Sequence, residues 1–175
     1  MPPRPENVVV KKLESRAILD GRAFVEKYLL TITRRQKSVS IRCGLARPCE
    51  AGSFPVIIKN DMFLFDSTEI GDGDLRAKYR ESRRFIIDEF VLDTAMKRKY
   101  VYSKFIREDV APDFSDNRHS GVFPLYPEYD WGTIAAWAWA FQPIIDFLGK
   151  QSYIDADKIV VTGHSRGGKA ALCAG

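Results

Sequence analysis

The sequence predicts an α/β fold: a mostly parallel sheet with helices on both faces, entered through an N-terminal β-hairpin. Three observations predict it. Two alternating, β-rich runs flank Arg34-Arg35-Gln36, the pattern of an antiparallel hairpin. Short apolar runs at 54–58, 100–105 and 158–162 then alternate with segments of helical pattern, an order met by a parallel sheet wrapped in helices. The last apolar run leads straight into Gly163-His164-Ser165-Arg166-Gly167-Gly168 and the Ala-rich stretch behind it, which reads as strand, tight turn, helix.

Residues 1–20 are polar, Pro-rich and mixed in period. They are expected to form a loose arm with a short helix at 13–19, leaving 21–175 as the folded unit. Phe24, Tyr28, Leu30 and Ile32 mark the first hairpin strand, and Val39, Ile41 and Cys43 the second. The run Phe54-Pro55-Val56-Ile57-Ile58 suits a buried strand, with Pro55 at its start where a missing N–H matters least. Residues 60–79 carry Gly71, Gly73 and many acids and are expected to form a long loop. Residues 82–96 form a helix in this reading, with Ile87, Phe90, Val91, Thr94 and Ala95 on one face. A strand at 100–105 is followed by a second long connection over 107–129. Residues 131–148 are rich in Ala and aromatics, a well-buried helix that Pro143 should kink or break.

The chain has 175 residues, 45% of them hydrophobic, enough apolar material for a core and too much for a disordered segment. No apolar run approaches the ~20 residues of a membrane span, and the first residues lack the apolar stretch of a signal peptide, so membrane association is not expected. The net charge of +4, from 27 basic and 23 acidic residues, is small and dispersed. No interleaving of basic and aromatic residues marks a nucleic-acid surface. Cys43, Cys49 and Cys173 show no disulfide or zinc spacing, and only two histidines are present, so no zinc site is expected.

Gly163-x-Ser165-x-Gly167 is the G-x-S-x-G pattern of a nucleophile elbow, and it implies an α/β-hydrolase-type sheet. A serine hydroxyl attacks a carbonyl only once a base accepts its proton. The elbow lifts Oγ clear of the backbone, and glycines on either side avoid collision with the adjoining strand and helix. The N–H of Arg166 is an oxyanion-hole donor in this geometry. Arg166 and Lys169 are two cations at a helix N-terminus, which the helix dipole disfavours; an anionic or oxyanion-bearing ligand would offset that. His164 adjoins the serine but diverges from Oγ on so sharp a turn. His119 precedes the elbow, whereas this fold places the acid and then the histidine after the serine. No acid or histidine follows Ser165. The chain is therefore expected to be a portion truncated after the elbow, inactive by itself and poorly soluble.

Three stretches in order resemble the glucuronoyl esterases of carbohydrate esterase family 15, bacterial type: 105–113 (FIREDVAPD), 121–139 from GVFPLYP to TIAAWAW, and the elbow GHSRGGK at 163–169. The resemblance implies a serine esterase, without metal or cofactor, that cleaves the ester between glucuronic acid on xylan and lignin alcohols. It assigns Ser165 as nucleophile, Arg166 as the arginine stabilising the oxyanion, and Lys169 as a contact to the sugar. Fungal members carry a cysteine where His164 stands, so their disulfide at that point is not expected. The segment Lys59-Asn60-Asp61-Met62-Phe63 departs from the family's glycine-containing version, leaving the second oxyanion donor unassigned. Two alternatives stay open: an acetyl esterase or serine peptidase with the same elbow, and a non-catalytic binding protein that retains a hydrolase half-fold.

Overall fold

The computed structural model describes residues 1–65 and 83–175. Its strands are β1 (Val8–Ile18), β2 (Ala23–Arg34), β3 (Lys37–Pro48), β4 (Phe54–Asp61), β5 (Val101–Ile106) and β6 (Ile154–Thr162). Its helices are α1 (Arg83–Lys97), the single turn α2 (Arg107–Val110), α3 (Thr133–Leu148) and α4 (Arg166–Ala174), with a 3₁₀ turn at Phe123–Leu125. The expected loop over 60–79 lies outside the described residues from 66 onward, as does the side chain of Ile87.

The six strands form one sheet in the order β1-β2-β3-β5-β4-β6. The α/β class holds, but the sheet is mixed. The pairs β1–β2, β2–β3 and β3–β5 are antiparallel, and only β4–β5 and β4–β6 are parallel. The hairpin is the reason: β3 pairs with β2 along one edge and with β5 along the other, with Cys43 opposite Phe105. The hairpin closes through Arg35 and Gln36, at φ 49° and 62°, between the paired residues Arg34 and Lys37. Two successive left-handed residues match the twist of the flanking strands.

The expected loose arm is corrected. Residues 8–18 are an edge strand, paired with β2 on both sides of an irregularity at Leu13, and no helix forms at 13–19. Before it, the Pro3 carbonyl accepts the indole N–H of Trp139 at 2.9 Å, and Arg4 pairs with Asp146 at 3.0 Å. The strand is largely exposed and carries Lys11, Lys12, Glu14 and Arg16, charges that oppose pairing of a sheet edge with other chains.

Strand alternation splits the core between the sheet's faces. Val56, Ile58, Val101 and Phe105 pack with α3 and α4 on one face. Ala46, Ile57 and Tyr102 pack with Ala95 and Met96 of α1 on the other, so helices cover both faces. In α1 the packed positions are Val91, Leu92, Ala95 and Met96. Phe90, expected on that face, is 70% exposed, because it lies about one residue's 100° turn off this stripe. Helix α3 is buried all round, with Trp137 and Trp139 both fully buried. Each indole N–H still finds a carbonyl, that of Trp137 reaching Ala111 at 2.8 Å. Pro143 lies inside α3, which runs on to Leu148. Among the described residues no helix is long and apolar enough to cross a membrane.

Candidate active site

The parallel trio β5-β4-β6 brings its C-terminal ends together, and ligands of open α/β sheets bind at such ends. Lys59 of β4 lies opposite Thr162 of β6. One residue on, the chain leaves β6 and turns at Ser165 into α4. Ser165 has φ 56° and ψ −120°, a backbone region that a non-glycine residue occupies at a cost of ~1–3 kcal/mol. The residue is exposed, and among the described residues its hydroxyl makes no hydrogen bond.

Glycine is obligatory on both sides for separate reasons. A β-carbon on Gly163 would lie 2.3 Å from the carbonyl carbon and oxygen of Gly167. A β-carbon on Gly167 would lie 2.2 Å from Oδ1 of Asn60. The turn is thus closed by backbone on one side and by a β4 side chain on the other. Asn60 is 1% exposed, and its Nδ2 donates to the Gly167 carbonyl at 3.1 Å. A guanidinium nitrogen of Arg107 lies 3.4 Å from the same β-carbon position, and that guanidinium stacks over Trp137 at 4.7 Å.

The sequence-singled residues cluster at the start of α4. Arg166 is its first residue, so its N–H has no partner within the helix. Lys169 stands three residues on, which puts it on the same helix face as Arg166; both side chains are exposed, while Gly167, Ala170 and Ala171 face the core. Arg166 does not project freely: it donates to Asp113 at 2.5 Å. His164 is exposed beside the elbow, and His119 is exposed on the connection between β5 and α3. Neither histidine forms a hydrogen bond to Ser165. Among the described residues no cluster of potential metal ligands is found.

Sequence reasoning missed Asn60, Arg107 and Asp113 as neighbours of the elbow. The signal at Asn60 was its place at the end of a buried strand, one residue before Asp61. Asp61 is itself buried, with Lys59 at 2.8 Å and Lys104 at 3.5 Å. Such a charged group at a strand's C-terminal end marks the neighbourhood of the site.

A strained serine on a strand–turn–helix at the end of a parallel sheet defines the elbow of an α/β-hydrolase. The sequence pattern of the family described as "Glucuronyl esterase, fungi" matches residues 79–175, and the chain belongs to this family. It is 32% identical over 102 residues to Carbohydrate esterase MZ0003 from an unknown prokaryotic organism, covering 54% of this chain and 23% of that one. Its fold superposes on a glucuronoyl esterase from Solibacter usitatus with a TM-score of 0.80 at 24% identity, over 99% of this chain and 50% of that one. It also superposes on a glucuronoyl esterase mutant from Sporotrichum thermophile in complex with methyl 4-O-methyl-β-D-glucopyranuronate. There the TM-score is 0.58 at 22% identity, over 99% of this chain and 38% of that one. The chain thus spans half or less of the length of these relatives.

Proposed function

We propose that this chain is the N-terminal part of a serine carboxylic-ester hydrolase acting on glucuronate esters of xylan through an acyl-enzyme. The observation that carries the reading is the backbone of Ser165, φ 56° and ψ −120°. Strain of that kind persists only where the surroundings enforce it, and here it lifts a hydroxyl into the open beside an unpartnered helix-end N–H.

Ser165 is the nucleophile in this reading. The N–H and guanidinium of Arg166 receive the negative charge that develops on the attacked carbonyl oxygen. One such donor is typically worth ~10²–10³ in rate. Asp113 holds that guanidinium in register. Lys169, one turn along the same face, contacts the sugar. The uronate ester supports this assignment over a plain acetate, since two cations at a helix N-terminus favour a ligand rich in acceptor oxygens. The methyl glucuronate held by the Sporotrichum thermophile protein is such a ligand. The general base and its acid are supplied by sequence after the elbow.

The test has two arms. The coding sequence downstream of codon 175 should continue in frame and encode an acidic residue and a late histidine. That longer protein should hydrolyse benzyl glucuronate faster than p-nitrophenyl acetate or a peptide amide, and lose the activity on Ser165→Ala. A preference for the acetate or the amide overturns the substrate. Serine-dependent turnover by the 175-residue chain alone overturns the assignment of the base.

A further inference from the structure

The connection between β5 and α3 carries Asp113 against the elbow at one end and walls a separate cavity further along. The cavity has a volume of about 590 Å³, within the range of small-molecule sites. Its far wall is the hairpin residue Lys37, and no elbow residue lines it.

The wall is preorganised. Tyr126 and Phe123 are 2% and 3% exposed and stand edge-on to Trp131 at 6.0 and 5.6 Å. Arg34 lies over the Tyr126 ring at 4.5 Å and Arg118 over Phe123 at 5.2 Å. The lining carboxylates are already neutralised: Glu128 accepts from Arg34 at 2.6 Å and pairs with Arg35 at 3.4 Å, and Asp130 pairs with Arg118.

What remains uncommitted has one chemical character. Among the described residues the side chains of Lys37 and His119 make no hydrogen bond or ion pair. An ammonium and an imidazole in one cavity, beside carboxylates that are already paired, offer donors to an anion. Tyr129 and Pro127 supply flat apolar surface beside them. We propose that this cavity binds a carboxylate carried on a six-membered ring, with the carboxylate at Lys37 and His119 and the ring against Tyr129 and Pro127. The site is separate from Ser165, so its failure leaves the esterase reading untouched.

Ligand-observed saturation-transfer NMR on the dilute 175-residue chain tests it, with sodium glucuronate and sodium benzoate as probes and glucose and methyl glucuronate as uncharged controls. At least one carboxylate should bind with a Kd of about 1 mM, the two probes separating a sugar acid from an aryl acid as the source. Binding should weaken about tenfold in Lys37→Met, as for loss of one charge-assisted hydrogen bond. It should also fall with added salt and persist in the double variant Arg166→Ala/Lys169→Ala. Three results would overturn the proposal: no saturable binding of either carboxylate, equal binding of the uncharged controls, or loss of binding in the elbow variant with none in Lys37→Met.

Discussion

The side-chain oxygen of Asn60 sits 2.2 Å from the point a β-carbon on Gly167 would occupy, while its amide nitrogen donates to the Gly167 carbonyl at 3.1 Å. A strand residue and the turn at Ser165 are therefore interlocked, and the interlock is separable by mutation. Gly167→Ala should destabilise the fold by about 1–3 kcal/mol through overpacking. Adding Asn60→Ala should return part of that loss, giving a coupling of about 1 kcal/mol in a double-mutant cycle of urea denaturation. Gly163→Ala meets backbone instead, so Asn60→Ala should give it no relief. Gly132→Ala, with nothing near its β-carbon, should stay within about 0.5 kcal/mol of the parent. Strict additivity at 60 and 167 would refute the interlock.

The Arg166–Asp113 pair makes a different kind of claim. The two side chains are 56% and 21% exposed, so solvent screens the pair and its worth to folding should be at most about 1 kcal/mol. Its effect belongs to the aim of the guanidinium. Asp113→Asn should scarcely move the thermal midpoint, while in the longer protein it should lower kcat with KM little changed. A large fall in stability, or a change confined to KM, would mean that Asp113 does something other than hold Arg166.

Glu26 carries the pH dependence of the antiparallel part of the sheet. Burial pushes its carboxyl pKa up, but hydrogen bonds from Lys12 and Tyr28 and the charge of Arg47 outweigh this, so the net shift is downward. The carboxyl is 2% exposed, with Lys12 at 2.6 Å and Tyr28 at 2.8 Å. A depressed pKa means that the carboxylate stabilises the fold above its unfolded value and that this contribution fades as pH falls through the folded one. Glu26→Gln should thus cost about 1–3 kcal/mol at neutral pH, and the gap to the parent should narrow as pH falls below 4.5, the ordinary glutamate value. Denaturation curves at a series of pH values read this directly; a gap that widens in acid would reverse the sign.

The elbow was legible in the sequence because its steric demands fall on consecutive residues. Gly163 and Gly167 are required by contacts within the turn and with β4, and the apolar strand before them sets the context. The hairpin was legible because Val39, Ile41 and Cys43 alternate with polar residues. β1 was not, since Lys11, Lys12, Glu14 and Arg16 leave no apolar alternation. Its pairing comes from the backbone ladder and from charges across it, such as Lys12 with Glu26 and Lys27 with Glu14. The direction of β3 against β5 was equally hidden, because each strand alone fits either orientation. Asp113 meets Arg166 across 53 residues of chain, and no local pattern encodes a contact of that separation.

The free side of β6 gives the last expectation. β6 ends the sheet and pairs only with β4 among the described strands. Its outer edge presents unpaired backbone groups, with Val160 51% exposed on the strand and Leu172 85% exposed on the adjoining α4. An exposed edge with apolar side chains templates pairing between copies. Solutions of the chain should therefore scatter light increasingly with time as its concentration is raised. A charge on the edge opposes that pairing without touching the core, so Val160→Lys should slow the aggregation and leave the unfolding midpoint nearly unchanged. β1 also exposes Val9, at 69%, but Lys11, Lys12, Glu14 and Arg16 interrupt its apolar residues, so Val9→Lys should bring a smaller gain in solubility than Val160→Lys. Equal benefit from both substitutions would show that general net charge, rather than the β6 edge, governs association.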